Sequence, residues 1–151
     1  LIDRGLRISV AESCTGGLVA NRLTNVSGSS TFFDRRVVAY SNAAKVETLH
    51  VNEDALQEFG AVSMSVALQM AEGIKAVSGS DIGISLTGIM GPTGATADKP
   101  VGLVYIGICD NKLCTAKQFN FGDDRLLNKD RASQAALEMI RRRILGITYD
   151  E

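Results

Sequence analysis

The chain has 151 residues, enough for one domain with a sizeable core, because a domain of about 150 residues buries roughly 68 to 70% of its unfolded surface. We therefore predict a single domain over residues 1–151. Charged residues make up 22% of the chain and the formal net charge is -1, which argues against nucleic acid as the main partner. No apolar run approaches the ~18 residues of a membrane span, so no membrane partner is predicted either.

Strands and helices alternate along most of the chain. The elements predicted in chain order are a strand in RISVAES, a helix in CTGGLVANRLTNV, a strand in FFDRRVVAYS, short helices in NAAKVETLH and NEDALQEF, a helix in SMSVALQMAEGIKAVSG, strands in DIGISLTG, VGLVYIGI and KLCTAKQFNF, and a final helix in DDRLLNKDRASQAALEMIRRRIL. The last two strands flank CDNK and form a hairpin, which adds an antiparallel pair. We predict an α/β fold, a three-layer α/β/α arrangement with a mixed sheet of about five strands.

Cysteine and histidine limit the possible chemistry. The three cysteines show no C-x-x-C spacing, which argues against a disulfide scaffold or a zinc site and favours a reducing compartment, so we predict the cytoplasm. Cys109 and Cys114 on the predicted hairpin are interpreted as structural. No cluster of His, Cys and carboxylates has metal-ligand spacing, so no metal and no other cofactor is predicted. The single histidine, His50, ends a predicted short helix, where we expect a capping or solvent-facing role.

Lys45 occupies an electrostatically unfavourable position in the stretch GSSTFFDRRVVAYSNAAK. If Asn42 caps the helix, Lys45 falls at the third helical position, where a capping box would place Glu or Gln. The positive end of the helix disfavours an ammonium, so a Lys45 that is also screened from water would have a lowered pKa. A neutral amine can activate a hydroxyl, and Tyr40 at the preceding strand end is placed to hold or relay the proton. An exposed surface lysine is the alternative that these residues leave open.

Two glycine-containing turns, ESCTGG and GIMGPTG, follow predicted strands. Such turns expose backbone N–H groups that can hold an anion such as phosphate, but neither matches a known phosphate-loop pattern, and a plain turn is the alternative. Cys14 in the first turn is a rival nucleophile, because a helix N-terminus lowers a thiol pKa. A small turn-lining cysteine is the other interpretation of Cys14.

Several motifs together resemble one family. AESCTGG, GSSTFFDRRVVAYSNAAK, GAVS, TGIMGPTG, KPVG and GDDR occur in the order and spacing of the CinA C-terminal domain family, the nicotinamide-nucleotide amidases. The resemblance covers nearly the whole chain. It implies an amidase that hydrolyses the carboxamide of nicotinamide mononucleotide to nicotinate mononucleotide and ammonia without a metal. In that family the domain is free-standing or fused behind a larger N-terminal domain, so an upstream helix or domain is an open alternative.

The resemblance also implies roles for residues by motif position. Ser30 is implied as the nucleophile, Lys45 as its base and Tyr40 as a supporting residue. The residues implied to line the substrate site are Ser13, Thr87, Gly88, Gly91 and Arg125. Arg125 suits a phosphate, because its planar guanidinium offers parallel donors.

Two further functions remain open from the sequence. One is a nucleotide-binding module that uses the same glycine turns and Arg125 without turnover, and the other is hydrolysis through Cys14. Whether Ser30 and Lys45 lie within hydrogen-bond reach depends on the tertiary fold. The expected partners are a small-molecule nucleotide and, from the family resemblance alone, a second copy of the chain in a homo-oligomer, most simply a dimer.

Overall fold

One mixed sheet of five strands forms the centre of the protein in the computed structural model, which describes residues 1–148. The strands are β1 (Ile8–Glu12), β2 (Phe33–Val38), β3 (Ile82–Gly88), β4 (Leu103–Cys109) and β5 (Cys114–Asn120). They lie side by side in the order β2-β1-β3-β4-β5. β1 is parallel to β2 and β3, whereas β4 pairs antiparallel with β3 and β5. The predicted mixed sheet and the predicted hairpin are confirmed.

Helices cover both faces of the sheet. They are α1 (Leu18–Thr24), α2 (Asn42–Leu49), α3 (Glu53–Phe59), α4 (Met64–Ser78) and α5 (Arg125–Leu145). On one face, Val19 of α1 and Met139 of α5 join Ile84 of β3 in a buried cluster. On the other face, Leu49 of α2 packs with Met70 of α4 in a second cluster. The predicted three-layer α/β/α arrangement is confirmed, and no helix within residues 1–148 has the length and apolar character to cross a membrane.

The carboxyl ends of β1, β2 and β3 lie at one edge of the sheet, because these three strands run parallel. β1 lies between the other two, so the chain leaves it on one side toward β2 and returns on the other as β3. A crevice forms beyond such a point, and open α/β sheets bind their ligands there. Residues 13–17, 39–45 and 89–94 follow the three strands and lie at this edge.

The start of α2 differs by one residue from the prediction. Ser41, and not Asn42, is the N-cap, since its Oγ accepts a hydrogen bond from the backbone N–H of Ala44 at 3.0 Å. Lys45 is therefore the fourth helical residue, and its backbone N–H donates to the carbonyl of Ser41 at 3.1 Å. Because the dipole effect falls off within the first turn, it acts on Lys45 less than the sequence suggested.

The hairpin carries a disulfide that the sequence analysis did not predict. Cys109 ends β4 and Cys114 begins β5, and the register makes them direct partners with Cα atoms 4.0 Å apart. The two cysteines meet because β4 and β5 pair in this register, and their spacing along the chain is not that of a C-x-x-C motif. The sequence argued against a disulfide scaffold, yet the structure holds this one disulfide, which agrees with the structural interpretation of Cys109 and Cys114. The inference of a reducing compartment loses that support. Cys14 has a free, buried thiol.

α4 packs closely against its neighbours because glycine occupies the contact points. Gly73 of α4 is buried, and a Cβ there would overlap the backbone carbonyl oxygen of Leu49 at the end of α2. Gly83 of β3 faces the same helix, and a Cβ there would overlap the carbonyl oxygen of Ala71. The helix therefore lies nearer to α2 and the sheet than any larger residue at these positions would allow.

We expect Gly73→Ala to lower the free energy of unfolding by about 1 to 3 kcal/mol, the usual cost of overpacking a filled interior. At an open helical position the same change would raise it by about 1 kcal/mol, because alanine has the higher helix propensity. Urea unfolding measures the effect, with Ala76→Gly at an exposed position of α4 as the control for propensity alone. A stabilising Gly73→Ala would contradict the close contact with Leu49.

Candidate functional site

Lys45 lies at the centre of the candidate site. Its side chain is 1% exposed. Its Nζ donates hydrogen bonds to the Oγ of Ser13 at 2.9 Å, to the carbonyl oxygen of Ala39 at 2.8 Å and to the carbonyl oxygen of Tyr40 at 3.2 Å. Within residues 1–148, no carboxylate forms an ion pair with Lys45. The amine therefore has polar partners but no counter-charge.

The three partners of Lys45 fit a neutral amine as well as an ammonium. An ammonium has three N–H donors, whereas a neutral amine has two donors and one lone pair. The carbonyl oxygens of Ala39 and Tyr40 can only accept, so they hold two N–H donors in either state. The third partner, the hydroxyl of Ser13, can donate as well as accept. Loss of one proton therefore directs the lone pair of Lys45 toward Ser13.

Burial shifts Lys45 toward the neutral amine. Desolvation lowers the pKa of Lys45 from its ordinary value of 10.5, and an anionic Cys14 would act in the opposite direction. That opposing charge is absent at neutral pH, because burial, together with the charge of Glu12, raises the pKa of the Cys14 thiol to about 12. The protonated thiol is also a poor nucleophile, which weakens the interpretation of Cys14 as the reactive group.

Glu12 holds the turn that carries Ser13. Its carboxylate is fully buried and accepts hydrogen bonds from the hydroxyl of Thr15 at 2.7 Å and from the backbone N–H groups of Val19 and Ala20 at 2.9 and 3.1 Å. The two backbone donors belong to the first turn of α1, where the helix dipole favours a negative charge. These hydrogen bonds of Glu12 fix the turn between β1 and α1, so Ser13 keeps its place beside Lys45.

A cavity of about 180 Å³ opens beside the Ser13–Lys45 pair. Its lining residues are Ser13, Cys14, Tyr40, Lys45, Ala61, Val62, Thr87, Gly88, Met90 and Arg125. Most of the site residues predicted from the sequence are therefore brought together at one place. Gly91 contacts the lining through Arg125, whereas Ser30 lies elsewhere.

Arg125 lies at the mouth of the cavity as the first residue of α5. Its Nη1 donates to the carbonyl oxygen of Gly91 at 2.7 Å, and its Nη2 donates to the hydroxyl of Tyr40 at 3.4 Å. Gly91 has a φ of 88°, a left-handed conformation that favours glycine. Within residues 1–148, Arg125 forms no ion pair with a carboxylate. Its uncompensated charge suits an anionic group of a ligand.

Tyr40 contacts Lys45 through its backbone. Its carbonyl oxygen accepts from Lys45, whereas its hydroxyl accepts from Arg125, and the side chain is 63% exposed. These contacts connect the two charged residues of the site by way of Tyr40. The Tyr40 hydroxyl contacts Arg125 in this structure, and the role of Tyr40 in holding or relaying the proton of Lys45 stays a prediction.

Thr87 and Gly88 end β3 and form one wall of the cavity. The Thr87 hydroxyl is buried and donates to the carbonyl oxygen of Ala61 at 2.8 Å, which ties the segment before α4 to the sheet. At Gly88 a Cβ would lie 2.7 Å from the carbonyl oxygen of Leu103, so only glycine fits.

Sequence reasoning missed three apolar residues of the lining: Ala61, Val62 and Met90. They lie inside GAVS and TGIMGPTG, so membership of a motif was the one signal that could have found them. Apolar residues in connecting segments carry no chemical signal of their own, and only the fold shows that they face a cavity.

Within one copy of the chain, the structure does not bring Ser30 and Lys45 together. Ser30 is exposed and lies in a short 3-10 turn just before β2, whereas Lys45 lies after the end of β2. The intervening strand of six residues separates its two ends by roughly 17 to 20 Å, at about 3.3 Å per residue. Phe32 also accepts a hydrogen bond from the N–H of Ile8 at 2.7 Å, which places this turn at the start of β1. Ser13, at the other end of β1, takes the place beside Lys45.

His50 agrees with its predicted position. It follows α2 with a left-handed φ of 58° and is exposed. It does not line the cavity beside Lys45. Among residues 1–148, no group of three or more His, Cys, Asp and Glu side chains is arranged to hold a metal ion.

Fold and site together define a class of protein: an α/β domain with a mixed five-stranded sheet and a buried Ser–Lys pair at the carboxyl end of β1. Comparison with protein families narrows this class. The model of the CinA C-terminal domain family matches residues 1–144. The chain therefore belongs to the CinA C-terminal domain family, as its motifs predicted.

Similar sequences carry names from the same family. A putative competence-damage inducible protein of Caldicellulosiruptor saccharolyticus is 54% identical over 146 residues, which are 97% of this chain and 36% of the relative. A CinA-like protein of Kosmotoga olearia is 51% identical, over 95% of this chain and 35% of the relative. The chain thus spans little more than a third of the length of these curated relatives.

Solved structures share the fold. The competence damage-inducible protein A (ComA) of Klebsiella pneumoniae matches with a TM-score of 0.93 and 33% identity, covering 96% of this chain and 90% of that one. The competence/damage inducible protein CihA of Agrobacterium tumefaciens matches with a TM-score of 0.90 and 42% identity, covering 92% and 86%. Both are crystal structures, and they support the strand order and layers described above.

We expect the pKa of Lys45 to be lower in the folded protein than in the unfolded chain, because burial disfavours the ammonium. Between the two pKa values the native state then binds fewer protons, so the free energy of unfolding rises as the pH increases through the interval below 10.5. NMR titration of the Lys45 side chain in the folded protein and in urea measures both values, with Lys45→Met to assign the signal. An equal or higher pKa in the folded protein would contradict a desolvated amine.

Proposed function

We propose that the protein is an amide hydrolase in which Ser13 is the nucleophile and Lys45 the general base, and that its substrate is nicotinamide mononucleotide. The observation that carries this proposal is the 2.9 Å contact between the Nζ of Lys45 and the Oγ of Ser13, at a lysine that is 1% exposed. A buried lysine without a counter-charge loses its proton more easily than an exposed one. A neutral amine beside a hydroxyl is an arrangement that activates serine for attack.

In the proposed reaction, the Oγ of Ser13 attacks the carboxamide carbon while Lys45 accepts the hydroxyl proton. The C–N bond then breaks, and Lys45 passes the proton to the departing nitrogen, which leaves as ammonia. Water attacks the resulting ester on Ser13, again with Lys45 as base, and releases the carboxylate product. The carbonyl oxygens of Ala39 and Tyr40 hold the amine in place throughout, since they accept its N–H groups in both protonation states.

The size and charge of the site support a pyridine nucleotide as substrate. The cavity of about 180 Å³ is smaller than the roughly 300 to 1,000 Å³ typical of pockets that enclose a drug-sized ligand. It has room for a ring bearing a carboxamide, with the ribose phosphate extending to the mouth. There the guanidinium of Arg125 suits a phosphate. The positive charge of a pyridinium ring draws electrons from the carboxamide and makes its carbon a better target for Ser13.

The relatives are named competence-damage inducible or CinA-like proteins, and these names do not specify a reaction. The support for the proposed reaction is therefore the resemblance to the amidases together with the geometry of the site. The activity of any longer protein that contains this domain is part of the same proposal. A cytoplasmic location and a homodimer also belong to the proposal. Sedimentation of the purified chain tests whether it forms a dimer.

Ammonia release from nicotinamide mononucleotide tests the proposed activity. We expect the wild-type protein to form ammonia and nicotinate mononucleotide, and Ser13→Ala to lower kcat by at least about 10³-fold, because the covalent path is lost. Ser30→Ala is the matched control, an exposed serine outside the cavity, and we expect it to keep kcat within about twofold. An inactive wild-type protein, or equal losses in the two variants, would contradict the proposal.

The Cys14→Ala variant tests whether the nucleophile is the hydroxyl of Ser13 or the thiol of Cys14. Because burial raises the pKa of Cys14 to about 12, we expect this variant to retain turnover and the wild-type thiol to resist iodoacetamide at neutral pH. Ammonia assays and mass spectrometry of the alkylated protein measure the two effects. Loss of turnover in Cys14→Ala combined with an active Ser13→Ala would favour the cysteine instead.

A nucleotide-binding module without turnover would use the same cavity and the same Arg125. Calorimetry with nicotinamide mononucleotide distinguishes the two functions. Tight binding by the wild-type protein with no ammonia formed would favour the module, whereas binding with product formation supports the hydrolase.

A further inference from the structure

Asn128 is a fully buried amide near the start of α5, three residues after Arg125. Its Nδ2 donates to the carbonyl oxygens of Met90 and Gly122, each at 2.9 Å, and its Oδ1 accepts from the backbone N–H of Gly122 at 3.1 Å. The side chain therefore uses both of its donors and one acceptor on two separate backbone segments. A buried amide that is bonded in this way fixes the segments to each other.

The two segments are those that set the position of Arg125. Met90 directly precedes Gly91, whose carbonyl oxygen accepts from the Nη1 of Arg125 at 2.7 Å. Asn128 and Arg125 thus bind consecutive carbonyl groups of one loop from one face of α5, since helical residues three apart lie on the same side. Gly122 belongs to the chain segment that enters α5, so its two bonds to Asn128 also fix where the helix begins.

We propose that Asn128 is a positioning residue that holds Arg125 over the mouth of the cavity for the phosphate of the substrate. This inference rests on the proposed function. Asn128 does not line the cavity and is fully buried, so it acts through Arg125 and not by touching the substrate.

The physical reason is preorganisation. Arg125 is an exposed, long side chain whose hydrogen bonds go to the carbonyl of Gly91 and to the hydroxyl of the exposed Tyr40. Ordering such a side chain at the moment of binding has an entropic cost that lowers affinity. A loop that is fixed by Asn128 offers the Gly91 carbonyl at a constant place, so the guanidinium is already aligned when the phosphate arrives.

Steady-state kinetics with nicotinamide mononucleotide test the role of Asn128. We expect Asn128→Ala to raise KM on the order of tenfold to a hundredfold, as a misplaced binding group does, while kcat changes by less than about threefold. Ser133→Ala is the matched control: Ser133 is equally buried on the same helix, with its hydroxyl bonded to Asp130 and Arg22 and not to the site. We expect its KM to stay at the wild-type value. If Asn128→Ala does not fold, Asn128→Asp preserves the size of the side chain and its acceptor, and serves the same test.

A double-variant cycle separates positioning from general stability. If Asn128 acts through Arg125, the variant that combines Asn128→Ala with Arg125→Ala should have the KM of Arg125→Ala alone within about twofold. Independent, multiplied effects on KM would overturn the inference, and so would a wild-type KM in both Asn128 variants.

A measurement without substrate keeps this inference separate from the proposed reaction. We expect the Nε–H resonance of Arg125 in the free protein to shift or broaden in the Asn128 variant, and to stay unchanged in Ser133→Ala. If the wild-type protein releases no ammonia, the proposed reaction fails while this NMR result still decides the positioning role. An Arg125 resonance that is identical in all three proteins would overturn that role.

Discussion

A buried amine without a counter-charge is the constraint on which the rest of the structure depends. Lysine is almost never fully buried unless its charge is paired, and Lys45 is 1% exposed with two carbonyl oxygens and one hydroxyl as partners. A carboxylate at this place would stabilise the ammonium and keep the proton on the lysine. The two carbonyl groups accept N–H groups of the amine in both protonation states and bring no counter-charge, so the ammonium is stabilised less than it would be by a carboxylate.

The architecture brings these partners together through strand register. Glu12 and Val38 are partners at the ends of β1 and β2, and the N–H of Ala39 donates to the carbonyl of Glu12 at 2.8 Å, which extends the pairing by one residue. Ser13 on one strand end and Ala39 on the other therefore face the same crevice. Because a slip of one residue reverses the direction of every side chain, the register is as important to the site as the side chains themselves. Glu12 contributes twice, with its backbone to the sheet and with its carboxylate to the turn after it.

The fold followed from apolar patterns that are long and regular, so the mixed sheet and both helical layers could be predicted. Lys45 was found from its unfavourable electrostatics, and Ser13 and Arg125 from their motifs. The serine that contacts Lys45 could not be predicted from the sequence. Ser30 is 15 residues away along the chain and Ser13 is 32 residues away, yet the parallel strands bring Ser13 into contact with Lys45. The disulfide and Asn128 were missed for the same reason: each depends on which backbone segments pair in three dimensions.

The most direct test of the Ser13–Lys45 pair is the site of the covalent intermediate. The protein is mixed with nicotinamide mononucleotide, quenched in acid and digested with trypsin, which places Ser13 in residues 8–22 and Ser30 in residues 23–35. We predict that mass spectrometry finds the nicotinate mononucleotide ester on residues 8–22, with fragmentation assigning it to Ser13 and not to Cys14. An ester on residues 23–35, or a thioester on Cys14, would contradict the account.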